Sequence, residues 1–177
     1  MTFAIRRLHA PDVQAHLDEF VELLVDAVNH GASVSFVLPL QPERARKFWE
    51  GVIVDLEAGK SVLVAALDQN RIVGSAQLLL AWQPNGTHRA EVAKVLVHSG
   101  SRRQGVGTLL MRTIEEQARL ARRRLLVLDT EAGGSGEALY EKLGYLRAGR
   151  IPQFATSNDG QTYVDTILFY KLLDEAR

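Results

Sequence analysis

The chain has 177 residues, 46% of them hydrophobic and 24% charged, and its 21 basic and 21 acidic residues leave a formal net charge of zero. Such a length and composition suit one globular domain with a substantial core, and the charge balance excludes steering toward nucleic acid or an anionic membrane by the field of the whole molecule. No cysteine is present, which excludes disulfides, thiolate metal sites and a cysteine nucleophile.

Residues 2–8 alternate loosely and predict a first strand, ending at the Ala10-Pro11-Asp12 turn. From Val13 the apolar residues Val13, Leu17, Phe20, Val21, Leu24, Val25 and Val28 recur at spacings of three and four, which predicts one amphipathic helix broken at Asn29-His30-Gly31. A partly apolar loop spans 32–39. Pro42 opens a second helix, with a stripe of Ala45, Phe48, Trp49, Val52, Ile53 and Leu56 that stops at Gly59. Residues 61–67 read as a buried strand, 68–71 as a turn and 72–82 as the antiparallel partner. The reversal at 83–86 carries Asn85-Gly86, a strong hairpin signal, and feeds a strand over 89–97. Alternation along that strand places Glu91 on the same side as Ala93 and Val95.

The turn 98–107 is basic and glycine-rich, and a helix begins near Gly105 with Val106, Leu109, Leu110, Ile114, Ala118 and Ala121 toward the core. Amide groups in a helix's first turn lack intrahelical partners and carry partial positive charge; Gly105 and Gly107 let a phosphate approach them, and Arg102 and Arg103 add two charges. Lys-Ser or Lys-Thr does not follow the second glycine, so the turn is not a P-loop, and Leu110 stands where a dinucleotide fingerprint needs a small residue. The arginines at 119 and 122–124 read as a solvated, dipole-favoured helix end. Residues 125–130 form a short apolar run, predicted to be an inner strand parallel to 89–97 through a right-handed crossover. A short helix over 136–143, stopped by Gly144, and two closing strands, 145–151 and 163–172, complete the chain.

Arg102-Arg-Gln-Gly-Val-Gly107 after a strand ending Val-Leu-Val resembles the coenzyme A signature of the GNAT superfamily of N-acetyltransferases. The block from Ala138 to Tyr145, with Tyr140 before Gly144-Tyr145, is similar to that family's other recurring segment, although Gly133 and Gly136 stand where the family often has asparagine and alanine. The resemblance implies a mixed, mostly antiparallel seven-stranded α/β sheet with a splayed central parallel pair, flanked by about four helices. It implies a single domain over 1–177, with 1–60 on the substrate side and 61–177 as cofactor core. Acetyl-coenzyme A is the implied cosubstrate, held by Leu96, Val97, Arg102, Arg103, Gln104, Gly105, Val106, Gly107 and Thr108. Three stretches, 30–36, 84–92 and 128–133, are similar to the tabtoxin-resistance branch of the superfamily, which implies a small amino-acid-like toxin or antibiotic as acceptor.

Acetyl transfer to an amine needs a neutral amine, a stabilised oxyanion and a proton for the leaving thiolate. An alkyl amine of pKa about 10.4 is only about one part in 2,500 neutral at pH 7, an offset of roughly 4.6 kcal/mol, so a base is useful. The candidates are Asp129, at the carboxyl end of its strand where open sheets collect ligands, and Glu91. Tyr140 is the candidate acid, because a phenol is protonated at neutral pH. His30, Ser33, Phe36 and Trp49 are candidates to line the acceptor pocket. The histidines show no metal-ligand spacing, so no metal is expected. The remaining expectations are a small-molecule amine partner, no nucleic acid or membrane partner, and a cytoplasmic location; pairing into a homodimer is left open. Two alternatives stand beside this reading, a protein N-terminal or lysine acetyltransferase and a non-catalytic acyl-coenzyme A-binding regulator.

Overall fold

A computed structural model describes residues 3–173, so Thr2, assigned to the first strand by its sequence, lies outside the described residues. Seven strands form one sheet: β1 (Ala4–Leu8), β2 (Ser61–Asp68), β3 (Arg71–Leu80), β4 (Arg89–Val97), β5 (Leu125–Glu131), β6 (Leu146–Thr156) and β7 (Tyr163–Leu172). Their order is β1-β2-β3-β4-β5-β7-β6. Every neighbouring pair is antiparallel except β4 with β5, the pair linked by the crossover helix.

Alternation along β2 explains its continuous apolar sequence. Val62, Val64 and Ala66 enter one apolar cluster, and Leu63, Ala65 and Leu67 enter another on the opposite face. The second face is covered by α1 (Ala10–Ala15), α2 (Leu17–Asn29) and α3 (Pro42–Glu57), the first by α4 (Val106–Leu120) and α5 (Ser135–Lys142). Among the described residues there are thus five α-helices where the family resemblance implies about four. The predicted single helix over 13–28 is interrupted at His16, whose φ of −108° and ψ of 20° leave the helical region. The His16 ring hydrogen-bonds Glu19 Oε1 at 2.9 Å, while Glu19 Oε2 accepts from the Ile72 N–H at 2.7 Å, so the start of α2 is fastened to the sheet.

The expected alternation of β4 fails after Ala93. Gln77 faces Ala93 and Ser75 faces Leu96, so Lys94 and Val95 both stand opposite Ala76, and Lys94 takes a left-handed φ of 49°. This β-bulge reverses the facing of the residues beyond it. Leu96 packs with the N-terminal helices, and Val95 goes to the α4 side, away from Glu91 and Ala93. The Asn85-Gly86 reversal is also wider than a two-residue hairpin: Gly86 N–H bonds Gln83 O at 2.8 Å, and Arg89 N–H bonds Gly86 O at 2.9 Å.

The outermost strand β6 runs past its predicted end at Ile151 and is exposed along most of its length. Its pairing with β7 shifts register twice, and Gln153 has φ 51° beside Pro152. Asp165 of β7 holds this irregularity, accepting from the Gln153 N–H at 2.8 Å and from Arg150 Nε at 2.6 Å.

Helix α4 lies very close to the sheet at Gly74, where an added Cβ would sit 2.9 Å from Leu96 O and 3.1 Å from side-chain carbons of both Val106 and Leu110. Gly74→Ala is expected to cost about 1–3 kcal/mol through overpacking, read as a lower midpoint in urea denaturation with unchanged slope.

Candidate active site

Strands β4 and β5 pair only at Arg89↔Leu125, Ala90↔Leu126 and Glu91↔Val127. Beyond Glu91 they part, while each remains paired on its other side, β4 with β3 to Val97 and β5 with β7 to Glu131. A groove of about 880 Å³ occupies the opening. Its walls run from the turn at 101–108, along residues 91–97, to Asp129, Tyr140 and the loop at 30–35.

At the turn end, Gly105 has φ 86°, and a Cβ built on it would meet no atom within 4 Å. The position therefore opens a cradle that any side chain would partly fill, in front of the unpaired N–H groups that begin α4. Gly107 is tight for a different reason, since a Cβ there would come 3.2 Å from Leu139 Cδ2 of α5. Arg103 is exposed and free of ion pairs among the described residues, as a charge available to an anion should be. Arg102 is committed elsewhere: its Nε donates to Val97 O at 3.2 Å and its Nη1 to His30 O at 2.9 Å, so it braces the turn against β4 and the loop after α2. Gln104 turns back to donate to Gly100 O at 3.1 Å and does not line the groove, contrary to the expectation that it does. Leu96, Val97, Arg102, Arg103, Gly105, Val106, Gly107 and Thr108 all line it.

The turn rests on a residue that sequence reasoning missed. Asp26, near the end of α2, accepts from the Ser99 N–H at 2.7 Å and the Ser99 hydroxyl at 2.8 Å. Burial opposes its charge, but the two Ser99 bonds and the nearby His98 and His30 more than offset that and hold the carboxyl below its usual range. The sequence spacing between Asp26 and Ser99 carries no signal that would pair them.

The other end of the groove gathers the candidate acid–base groups. Ala90 and Val92, like Leu126 and Leu128, face the α4 cluster, so alternation puts Glu91, Val127 and Asp129 together on the opposite face. Asp129 Oδ2 accepts from Thr166 Oγ1 at 2.9 Å. Glu91 is open to water on one side, yet the remaining walls desolvate it and Asp129 repels its charge, so its pKa is raised. Tyr140 reaches the groove from α5 and is pushed up to about 12, by burial first and then by Asp129. Its neighbour Gly136 is required by packing, because a Cβ there would lie 2.5 Å from Thr130 Oγ1 and 3.2 Å from Tyr140 Cε2.

Of the expected acceptor-side residues, His30 and Ser33 line the groove. Phe36 and Trp49 do not: Trp49 is completely buried against Phe20 with ring centroids 4.6 Å apart, and Phe36 stacks edge-on with Phe48 at 5.5 Å. Their apolar surface is used by the N-terminal lobe's own core. Lys94, which no sequence pattern marks, lines the groove between these groups.

Residues 21–145 match the acetyltransferase (GNAT) family. An uncharacterized N-acetyltransferase of Azospirillum brasilense is 32% identical over 115 residues, covering 64% of this chain and 67% of that one. An N-acetyltransferase structure from Staphylococcus aureus Mu50 superimposes with a TM-score of 0.79 at 16% identity, over 98% of this chain and 100% of that chain. A Salmonella typhimurium protein solved with its cofactor acetyl-CoA gives 0.77 at 18% identity, over 100% and 97%. At these identities the solved structures share the fold.

Gly105→Glu is expected to raise the Kd for coenzyme A by at least about tenfold in calorimetry, an effect of 1.4 kcal/mol or more. Gly105→Ala carries the same left-handed strain, about 1–2 kcal/mol of stability, without the charge, and separates the two causes.

Proposed function

On the premise that the chain belongs to the GNAT acetyltransferase family, we propose that it is an acetyl-CoA-dependent N-acetyltransferase whose acceptor is a small amino-acid-like amine, tabtoxinine-like toxins and antibiotics included. The observation that carries this reading is the single groove joining the anion cradle at Gly105 to Glu91, Asp129 and Tyr140.

In this reading the pyrophosphate lies against the α4 N-terminus and Arg103. The pantetheine arm follows the unpaired edge of β4, where backbone groups of Leu96 and Val97 meet its amides as an added strand would. The Val97 carbonyl already serves Arg102 and has a second lone pair to offer. The acceptor ammonium enters beside Asp129 and gives its proton to Glu91, whose raised pKa suits it to accept one. The amine nitrogen bonds to the thioester carbon, a backbone N–H of β4 holds the oxyanion, and the carbon–sulfur bond breaks as Tyr140 donates its proton to the thiolate, the surplus proton on the new amide nitrogen returning to the phenolate. Transfer is direct within a ternary complex, because both reactants share one groove.

The fixed loop beside the acceptor end supports a small molecule over a polypeptide. The loop after α2 is fastened across to the β6–β7 loop, with Leu38 N–H donating to Asn158 O at 2.8 Å and Asn158 Nδ2 donating to Val28 O at 2.9 Å. Among the described residues no helix is long and apolar enough to cross a membrane.

Release of free thiol from acetyl-CoA, followed with amino-acid-like toxins, aminoglycosides, polyamines and short peptides, tests the proposal directly, and the absence of cysteine keeps the background low. Amino-acid-like acceptors are expected to drive release; silence across the panel with acetyl-CoA bound would favour a regulatory binder. Tyr140→Phe is expected to lower kcat by about 10²-fold while leaving coenzyme A affinity within twofold or so. Asp129→Asn removes a negative charge that raises the Glu91 pKa, so the acidic limb of kcat/KM is expected to move to lower pH with activity retained. Abolished activity in that variant would transfer the base role to Asp129.

A further inference from the structure

The bulge in β4 gives Lys94 an unusual situation. Its left-handed φ of 49° takes it out of the strand's alternation, and its side chain belongs to neither apolar cluster. It is half-buried, its Nζ lies 5.7 Å from the Phe48 ring centroid, and its hydrogen bond is to Ser35 Oγ at 3.3 Å. Among the described residues no carboxylate lies within 4.0 Å of Nζ, although every other lysine or arginine at the groove is either bonded, like Arg102, or exposed, like Arg103. An ammonium has three donors, and burial without an anionic partner is costly. Burial lowers the Lys94 pKa, and Asp129 and Glu91 act against that from beyond contact distance.

The acceptor end therefore holds two kinds of charge at fixed places, carboxylates at Glu91 and Asp129 and a cation at Lys94 with unfilled donors. We propose that Lys94, with the Ser35 hydroxyl beside it, is an anion receptor that binds the carboxylate or an equivalent anionic group of the acceptor. The site then selects molecules that carry an anionic group near the reacting amine and discriminates against the same amine without it. This rests on the acetyltransferase reading above and names the chemistry of its acceptor.

The test uses the full chain with the common L-amino acids and their α-carboxamides, which keep the amine and lose the negative charge. Two readouts are taken, kcat/KM from thiol release and Kd by calorimetry on the coenzyme A-saturated protein. The expected result is a preference for at least one acid over its amide of about tenfold or more, lost in Lys94→Met, which preserves the stem over Phe48, and largely kept in Lys94→Arg. The loss should fall on KM and Kd for the acids, with the KM for acetyl-CoA unchanged. A preference that survives in Lys94→Met, or no preference in the native protein, overturns the inference, as does acetylation of Lys94 itself, read as an added acetyl mass on its peptide after incubation with acetyl-CoA alone. Turnover of amines without acid preference leaves the acetyltransferase reading standing and removes this one. Binding preference that depends on Lys94 without turnover does the reverse.

Discussion

Two parallel strands that cease to pair after three residues leave a row of backbone N–H and C=O groups facing a gap, and each such group, if buried without a partner, costs about 1–3 kcal/mol. The gap persists because neither strand is free to close it. β4 is held by β3 up to Val97, β5 is held by β7 up to Glu131, and the bulge at Lys94 bends β4 just past its last pair with β5. In the proposed reading, the amide donors and acceptors of the pantetheine arm take the place of the missing ladder. The groove's chemistry depends on this separation, since the same divergence exposes Glu91, Asp129 and Tyr140 to one cavity.

The supports of the groove are as specific as its lining. Asp26 anchors Ser99, Arg102 ties Val97 to His30, and Lys94 meets Ser35, so α2 and the loop that follows it are joined at three places to β4 and the turn before α4. None of these bonds is exceptional in strength. Together they set the distance between the anion cradle and the acceptor end, and a misplacement of an ångström there is enough to impair a transfer reaction.

Much of this architecture is legible in the sequence where a pattern is long or chemically marked. The run at 89–97, the glycines and arginines after it, and the apolar segment at 125–130 place β4, the turn and β5 correctly because strand alternation, helix-terminus chemistry and full burial each leave a distinct trace. Local backbone geometry and long-range pairing stay hidden. A lysine in a left-handed conformation has no sequence mark, so simple alternation puts Val95 on the wrong face and gives Lys94 no prominence. The helical spacing from Val13 to Val28 continues across His16, so periodicity does not reveal the interruption. Phe36 and Trp49 look available to a ligand because they are large and aromatic, the very property that makes the N-terminal lobe's core claim them.

The last strand shows how the chain treats its own boundary. β6 is eleven residues long, exposed, and paired only with β7, and it displays Leu146, Ile151 and Phe154 to solvent. A bare edge of that length is a template on which another chain can add a strand and begin to aggregate. Here the template is interrupted from within. Pro152 offers no N–H, Gln153 turns left-handed, and Asp165 holds the segment by accepting from the Gln153 amide and Arg150. The irregularity of this edge is thus held by a carboxylate of the neighbouring strand, and a straightened, regular β6 would be a better strand and a worse edge.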